Sequence, residues 1–438
     1  MHACHQELYA RRRTLFMESM LAKGANAVAV LPAAPVFVRN NDVDHDYRQD
    51  SDLFYLTGFD EPGSVLVMLA DEKKSVMFVR PRDPEREIWD GHRAGVDGVK
   101  SHYGADEAFK ITEFGDELPK LLANKKSLFY RLGRDRTFDD RVLDAIENAR
   151  RRARLGFSWP TEIVDPGIVV HEMRLFKHTD DLEAMKRAAE ITQEAHLRAM
   201  SATKPGMYEY EVEALLLETF RRGGSERPAY GSIVGSGANA TVLHYRTNNR
   251  KMEENDLLLI DAGCEYGYFA SDVTRTFPVG KKFSREQQAI YELVLEAHTA
   301  SIARTKVGAT IEQVHQESVE VITRGLVRLG LLAGEVDKLI ADNAYKMFFM
   351  HRTSHWLGMD VHDVGSYYVD GKARELASGM VLTVEPGIYI GKDNDKVGPE
   401  WRGIGVRIED DILVSAEGPI NLTAAIPSSV DDVLRACA

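Results

Sequence analysis

An aspartate ends an apolar, strand-like run in the second half of this chain. Asp261 follows the apolar residues 257–260, and Asp272 comes eleven residues later, after a short turn. If Tyr266-Gly267 forms a two-residue hairpin turn, Asp261 and Asp272 face each other with Cβ atoms ~5 Å apart. Two ionised carboxylates at that distance repel by roughly 3 kcal/mol at an effective dielectric of about 20. A bound metal ion would remove the repulsion, whereas the alternative is a solvated pair on a hairpin rim.

Histidines are concentrated in a second segment. His351, His355 and His362 are three of the fourteen histidines of the chain and fall within twelve residues. The i, i+4 spacing of His351 and His355 is that of a zincin helix, but Arg352 stands where that motif needs a glutamate as general base. We therefore reject a zincin site. The density of histidines beside the helix-breaking Gly358 still favours a functional site over isolated polar residues.

Two glutamates interrupt further apolar runs. Glu385 lies between Val384 and Pro386, and Glu409 follows a β-like run that contains Arg407. A charge in such a run is costly unless it is paired or bound to metal. Arg407 and Glu409 share a strand face, so an ordinary salt bridge between them is the alternative.

Together these clusters offer an oxygen-rich set of metal ligands without a thiolate: Asp261, Asp272, His355, Glu385 and Glu409. The four negative charges of these carboxylates would balance the four positive charges of two divalent cations. Hard or borderline ions, Mn²⁺ first, with Co²⁺ or Zn²⁺ as alternatives, suit this set better than a structural zinc ion. Such a pair of ions generates a hydroxide near neutral pH and polarises a carbonyl oxygen. The residues therefore predict a hydrolase.

The chain is predicted to form two domains of mixed α/β (α+β) structure, residues 1–171 and 172–438. A stretch rich in Gly and Pro separates the two domains. Strands are predicted in the first at 27–31, 65–69, 75–79 and 128–131, and helices at 8–23 and 139–151. The second begins with a helix from Thr179. Further helices are predicted at 209–222, 284–304 and 310–332, and strands at 257–261, 268–277, 380–384 and 405–413. Because these strands come in hairpin pairs, we expect a mostly antiparallel sheet backed by helices.

Composition narrows the class of protein. The chain has 438 residues and a formal net charge of −13, so nucleic acid or an anionic membrane is not an expected partner. No apolar stretch approaches the ~20 residues of a membrane helix, and no export signal is recognised. Cys4, Cys264 and Cys437 are scattered and odd in number, which predicts neither a disulfide framework nor a Cys-based metal site. A cytoplasmic location is expected.

The five ligand motifs, with their flanks, resemble those of the dimetal pita-bread peptidases, which include aminopeptidase P, prolidase and methionine aminopeptidase. The motifs run from Leu-Ile-Asp261-Ala-Gly to Gly-Ile-Gly-Val-Arg407-Ile-Glu409-Asp, and the resemblance covers residues 172 to about 414. Residues 47–59 are similar to the N-terminal domain of bacterial aminopeptidase P, which methionine aminopeptidases lack. The resemblance implies a creatinase/aminopeptidase P-type N-terminal domain and a pita-bread catalytic domain with a curved, mostly antiparallel sheet.

The resemblance also implies an activity and roles for residues. It implies an Xaa-Pro aminopeptidase that removes the N-terminal residue from peptides with proline in second position. His244 and His362 would stabilise the tetrahedral intermediate or handle its protons, and Glu385 would relay a proton besides binding metal. His351 and Arg407 would line the proline side. Tyr389, Trp89 and Asp42 would lie at the substrate end, where the N-terminal domain of a neighbouring subunit helps close the pocket in a homodimer or homotetramer.

Two other functions stay open from the sequence. A prolidase has the same metal site and cuts only Xaa-Pro dipeptides. A non-catalytic pita-bread domain binds a partner without metal, but that function predicts lost ligands, and all five are present here.

Overall fold

The structure is a computed structural model that describes residues 6–24 and 26–438. Cys4 lies outside the described residues. The chain divides into two compact units, Met1–Met173 and Arg174–Ala438. Among the described residues, no helix is both long enough and apolar enough to cross a bilayer.

The first unit is built on a six-stranded mixed sheet. The strands of the unit are β1 (Ala27–Pro32), β2 (Val38–Asn40), β3 (Val43–Asp44), β4 (Val65–Leu69), β5 (Lys74–Val79), β6 (Glu107–Lys110), β7 (Ser127–Phe129) and β8 (Glu162–Val164). The sheet order is β6-β5-β4-β1-β7-β8, and β2 pairs with β3 in a separate hairpin. Strand β4 is buried along its whole length, as its run of Val, Leu and Met requires.

Several helices of this unit begin at a side-chain cap. Asp135, for example, accepts hydrogen bonds from the backbone N–H groups of Thr137 and Phe138, which fixes the start of the helix that follows. The helices are α1 (Gln6–Lys23), α2 (Ser51–Thr57), α3 (Pro84–Asp90), α4 (Gly95–Tyr103), α5 (Phe114–Leu121), α6 (Arg136–Arg151) and α7 (Gly167–Leu175), whose last two residues belong to the second unit.

The second unit consists of short antiparallel sheets and helices around a large apolar core, with smaller apolar clusters besides it. Its helices are α8 (Thr179–Ala202), α9 (Glu209–Arg222), α10 (Arg285–Arg304), α11 (Ile311–Arg328), α12 (Val336–Ala341) and α13 (Val430–Cys437). Helices α10 and α11 pack so closely that a Cβ at Gly325 would lie 2.0 Å from Leu293 Cδ1. The core joins these helices to the strands through apolar residues such as Ile260 and Ile388.

The strands of this unit pair only in the antiparallel sense within residues 174–438. They are β9 (Arg227–Pro228), β10 (Ile233–Ser236), β11 (Leu257–Asp261), β12 (Cys264–Tyr266), β13 (Phe269–Ala270), β14 (Thr274–Pro278), β15 (Tyr368–Val369), β16 (Lys372–Ala373), β17 (Val381–Val384), β18 (Gly387–Ile390), β19 (Ile404–Arg407), β20 (Asp410–Ser415) and β21 (Gly418–Asn421). The antiparallel arrangement predicted from the hairpin-like spacing is confirmed.

The predicted pairing of Asp261 with Asp272 is wrong by two residues. Asp261 pairs with Thr274, and Asp272 lies opposite Gly263. The turn consists of Gly267 and Tyr268, whose φ angles of 58° and 71° are both positive, rather than of residues 266 and 267. A shift of two residues leaves Asp272 on the predicted face, because side chains alternate with a period of two.

The other predicted elements differ from the structure mainly where a site residue breaks a strand. The helix at 209–222 and the strand at 257–261 are confirmed to the residue. The strand predicted at 405–413 is two strands, β19 and β20, with Glu409 in the gap between them. The helix predicted to end at 332 ends at Arg328.

Candidate metal centre and active site

The four carboxylates lie on two antiparallel ribbons. Strands β11 and β14 form the first ribbon, and β17 and β18, paired with β20 and β19, form the second. Asp261 is the last residue of β11, and Asp272 lies two residues before β14. In the second ribbon, Val384 pairs with Asp410 and Gly387 pairs with Arg407, so the shared register places Glu385 opposite Glu409. Each ribbon therefore carries one pair of acids at the point where its regular pairing is interrupted.

His355 and two of the acids form a tight group of potential metal ligands. One ligand atom each from Asp272, His355 and Glu409 lies within 4.8 Å of the others. His355 Nε2 is 3.4 Å from Asp272 Oδ2 and 3.6 Å from Glu385 Oε1. His355 Nδ1 lies 3.0 Å from the carbonyl oxygen of Trp356, which can only accept, so Nδ1 carries the proton and Nε2 faces the acids as a potential ligand.

Burial makes this concentration of negative charge costly. Burial raises the pKa of Glu385 to about 7 and, together with the charges of Asp272 and Glu385, raises the pKa of Glu409 well above its usual value. Burial disfavours the charged form of His355, but the hydrogen bond to Asp272 and the charge of Glu385 outweigh it and raise its pKa to about 9. Divalent cations would offset the repulsion, so the donor set fits two such ions.

Asp261 is held by Arg407 and Tyr230. Arg407 Nη2 donates to Asp261 Oδ2 at 2.6 Å, so this arginine pairs with Asp261 rather than with Glu409. The Tyr230 hydroxyl lies 2.6 Å from Asp261 Oδ1 and 2.5 Å from Asp272 Oδ1. Tyr230 is not indicated by the sequence, because a single tyrosine ahead of β10 carries no motif that separates it from an ordinary aromatic residue.

Two of the acids, Asp261 and Glu385, line a cavity of about 830 Å³. His244 and His362 lie exposed in its wall, and His362 packs against His355 with ring centroids 4.3 Å apart. His351 Nε2 is 2.8 Å from the hydroxyl of Tyr389. Burial, and then the charge of Arg407, lowers the pKa of His351 to about 3, so this imidazole is neutral at physiological pH. The structure thus gathers His244, His351, His355, His362, Tyr389 and Arg407 around the four acids.

Comparison with known proteins agrees with this arrangement. Residues 183–416 match metallopeptidase family M24, and residues 9–130 match the aminopeptidase P N-terminal domain. The chain belongs to metallopeptidase family M24. Among its relatives, Xaa-Pro aminopeptidase of Escherichia coli is 44% identical over 97% of this chain and 96% of that protein, and Xaa-Pro aminopeptidase of Haemophilus influenzae is 45% identical over 90% and 89%.

Solved structures show the same fold in close relatives of this M24 chain. The Pseudomonas aeruginosa aminopeptidase PepP superposes with a TM-score of 0.96 at 50% identity, over 99% of this chain and 98% of that one. A variant of E. coli aminopeptidase P in complex with substrate superposes with a TM-score of 0.95 at 43% identity, over the same shares. The fold class expected from the resemblance is confirmed.

The buried residue Arg275 forms hydrogen bonds with the backbone that carries one of the acids of this M24 site. All five N–H groups of the Arg275 guanidinium are used, and one of them donates to the carbonyl oxygen of Glu409 at 2.6 Å. Another donates to Asp410 at 2.7 Å. Arg275 therefore fixes the backbone that carries Glu409, a relationship between residues 134 positions apart that no local pattern indicates.

A second buried network holds the segment between His355 and His362. Asp363 accepts hydrogen bonds from Arg174 Nη2 at 2.6 Å and from Lys177 Nζ at 2.9 Å. The backbone N–H of Asp363 donates to the carbonyl oxygen of Trp356 at 2.8 Å, which closes the segment into a compact loop.

The sequence also singled out Trp89, Asp42 and Cys264. Trp89, on α3, is 84% exposed, and Asp42 is exposed in the turn between β2 and β3. Both belong to the first unit. Cys264 is buried in the core of the second unit, where burial raises the pKa of its thiol to about 12, so it acts as a packing residue.

Proposed function

We propose that this protein is an Xaa-Pro aminopeptidase, which hydrolyses the bond between an N-terminal residue and a following proline. One observation carries the proposal: Asp272, His355 and Glu409 form a tight group of potential ligands, and Asp261, His355 and Glu385 line one cavity beside it. The relatives named Xaa-Pro aminopeptidase, 44–45% identical over most of the chain, support the same activity.

We propose these five residues as the ligands of two divalent metal ions. When bound, such ions supply a hydroxide near neutral pH and polarise the carbonyl of the scissile bond. Mn²⁺ is the proposed metal because four of the five donors are carboxylates, and Co²⁺ and Zn²⁺ are the alternatives. A zinc-substituted form is known for E. coli aminopeptidase P.

Glu385 and the other polar residues of the cavity act on the substrate. Glu385 stands at the cavity wall, so besides binding metal it could relay the proton of the attacking water to the departing proline nitrogen. His244 and His362, which lie exposed at the cavity, would donate to the oxygen that becomes negative. His351, Arg407 and Tyr389, joined by hydrogen bonds, form the wall beside the proline.

We further propose a cytoplasmic homodimer or homotetramer that acts on peptide substrates and not on nucleic acid or membranes. The exposed Trp89 and Asp42 would then meet the cavity of another copy and close its substrate end. The net charge of −13 supports the absence of a nucleic-acid partner.

The test is release of free arginine from Arg-Pro-Pro by the purified protein, measured after chelation with EDTA and again after addition of Mn²⁺. Activity that disappears and returns is the expected result. Ala-Pro is assayed in parallel, because cleavage of the dipeptide alone would identify a prolidase. Inactivity on both substrates with Mn²⁺, Co²⁺ and Zn²⁺ would contradict an enzymatic role.

A further inference from the structure

One buried glutamate of the second unit accepts five hydrogen bonds. Glu209, the first residue of α9, has 0% of its surface exposed. Its Oε1 accepts from the backbone N–H and the Oγ of Ser236, both at 2.7 Å, and from Asn239 Nδ2 at 3.1 Å. Its Oε2 accepts from the Tyr245 hydroxyl at 2.8 Å and from the backbone N–H of Arg250 at 2.9 Å. The mechanism proposed above uses none of these groups.

All five donors belong to one segment, residues 236–250. Ser236 and Arg250 lie at its two ends, and Asn239 and Tyr245 lie within it. Between β10 and β11, a stretch that the structure describes in full, the only helix or strand is the 3₁₀ helix Gly237–Thr241. Such a segment lacks the ladder hydrogen bonds of a strand, so side-chain hydrogen bonds determine much of its conformation. The carboxylate of Glu209 holds both ends and the middle of this segment.

His244 depends on this segment for its position. It lines the cavity, and its imidazole forms no hydrogen bond with another of the described residues. Its two neighbours in the chain, Leu243 and Tyr245, pack against a small apolar cluster that includes Tyr389. The hydroxyl of Tyr245 then reaches Glu209. The residues before and after His244 are therefore both held in place, and they set where the imidazole lies.

The same segment packs tightly against two strands of the second unit. A Cβ at Gly405, in β19, would lie 2.2 Å from the carbonyl oxygen of Ala240. A Cβ at Gly235, in β10, would lie 3.0 Å from the carbonyl oxygen of Asn239. Contact this close between backbones leaves little space for an alternative position of the 3₁₀ helix. The start of the segment is thus fixed by packing, whereas the part that carries His244 is held by the hydrogen bond from Tyr245 to Glu209.

Resting on the proposed function, we propose that Glu209 is a positioning residue for His244 and acts through the hydroxyl of Tyr245. Glu209 does not touch the substrate. It holds the segment so that the imidazole meets the oxygen that becomes negative in the reaction. Because that interaction forms only in the transition state, a loss of positioning should lower kcat and kcat/KM equally and leave KM unchanged. A misplacement of about 1 Å can reduce the rate by about 100-fold.

The first test measures hydrogen exchange of the full-length protein in EDTA. The backbone N–H of Tyr245 donates to the carbonyl oxygen of Val242 at 3.3 Å, so its exchange rate reports opening of the turn that contains His244. We expect residues 243–246 to exchange about tenfold faster in Tyr245→Phe, because one hydrogen bond to a carboxylate is lost. Tyr210→Phe removes a hydroxyl that is half exposed on α9 and is the matched control. Equal exchange in the two variants would overturn the proposal.

The second test measures kcat and KM for Arg-Pro-Pro on the Mn²⁺-loaded protein. We expect Tyr245→Phe to lower kcat by about tenfold at an unchanged KM. In the background of His244→Gln, Tyr245→Phe should cause no further loss, because the two residues act as a unit. Ser236→Ala removes another hydroxyl from Glu209, at the start of the segment. It should lower the denaturation midpoint at least as much as Tyr245→Phe does, but lower kcat by less than about threefold.

The outcomes separate a positioning role from a structural one. An additive loss of kcat in the double variant, or a loss in Ser236→Ala as large as that in Tyr245→Phe, would show that Glu209 only stabilises the fold and would overturn the proposal. An inactive wild-type protein would overturn the proposed function and with it the catalytic role of His244. In that case the hydrogen-exchange result still decides whether Glu209 fixes the segment that carries His244.

Discussion

Arg407 and Asp261 form a buried ion pair, with 2.6 Å between Nη2 and Oδ2. Arg407 also donates through Nη1 to the Tyr389 hydroxyl at 2.9 Å and through Nε to Thr274 Oγ1 at 3.0 Å. Thr274 Oγ1 in turn donates to Glu409 at 2.6 Å. One guanidinium group therefore connects acids that come from two separate ribbons.

Replacing Arg407 should destabilise the fold. In Arg407→Gln, Asp261 stays buried without a cationic partner, which costs about 3 kcal/mol or more of unfolding free energy. Arg407→Lys keeps the charge but not the three-way hydrogen bonding, so its loss should be smaller. Denaturant unfolding in EDTA at pH 8 measures both. The control is Arg435→Gln on the exposed end of α13, and an Arg407→Gln midpoint equal to that of the control would contradict the prediction.

Tyr230 should tune metal affinity without affecting the fold. Its hydroxyl lies within hydrogen-bonding distance of both Asp261 and Asp272, and groups that orient ligands in this way contribute about tenfold to 100-fold in metal affinity. Tyr230→Phe removes only the hydroxyl, so we expect Mn²⁺ to bind about tenfold to 100-fold more weakly in calorimetric titration of the metal-free protein. Tyr210→Phe, on the half-exposed face of α9, should bind as the wild type does. An unchanged dissociation constant in Tyr230→Phe would show that the hydroxyl does not orient the acids.

Asp363 should be more important for stability than its neighbour Asp360. Asp363 has a side chain 1% exposed and pairs with the buried Arg174 and Lys177. Asp363→Asn leaves an excess of buried positive charge, so we expect a loss of about 3–5 kcal/mol in unfolding free energy. Asp360, whose side chain is 37% exposed and which also contacts Arg174, provides the control Asp360→Asn, with an expected loss below about 1 kcal/mol. Equal losses in thermal or denaturant unfolding would refute this distinction.

The stability of the second unit should decrease in mild acid because of His196. Burial lowers the pKa of His196 to about 4, and its Nε2 lies 2.9 Å from the carbonyl oxygen of Ala262. The unfolded state, with a histidine pKa of about 6.5, binds the proton first as the pH falls. The stabilisation is therefore complete above about pH 6.5 and decreases by up to roughly 3 kcal/mol by about pH 4.

The slope of unfolding free energy against pH identifies the contribution of His196. His196→Gln has no group that titrates in this range, so its slope between about pH 6.5 and pH 4 should be smaller than that of the wild type. The control His102→Gln changes an exposed histidine and should leave the slope unchanged. A His196→Gln slope that matches the wild type would assign the acid sensitivity to other groups.

Local patterns were sufficient to predict some of the elements of the second unit. The apolar run at 257–260 and the amphipathic segment at 209–222 specify a strand and a helix through nearest-neighbour chemistry, and both bounds agree with the structure. The acids and histidines could be selected from the sequence for a related reason. A charge in a buried strand is costly enough to require a compensating partner, so its presence alone indicates chemistry.

The strand register and the hydrogen bonds between residues far apart in the sequence were decided only by the tertiary structure. The turn at Gly267-Tyr268 places Asp272 opposite Gly263, and the choice between two adjacent turn positions depends on a tyrosine that adopts a left-handed backbone conformation, which residue preferences disfavour. The hydroxyl of Tyr230 and the guanidinium of Arg275 reach their acids across separations of 31 and 134 residues. Such contacts arise when distant elements pack, so the sequence determined the set of reactive groups, whereas the packing of the two ribbons determined their geometry.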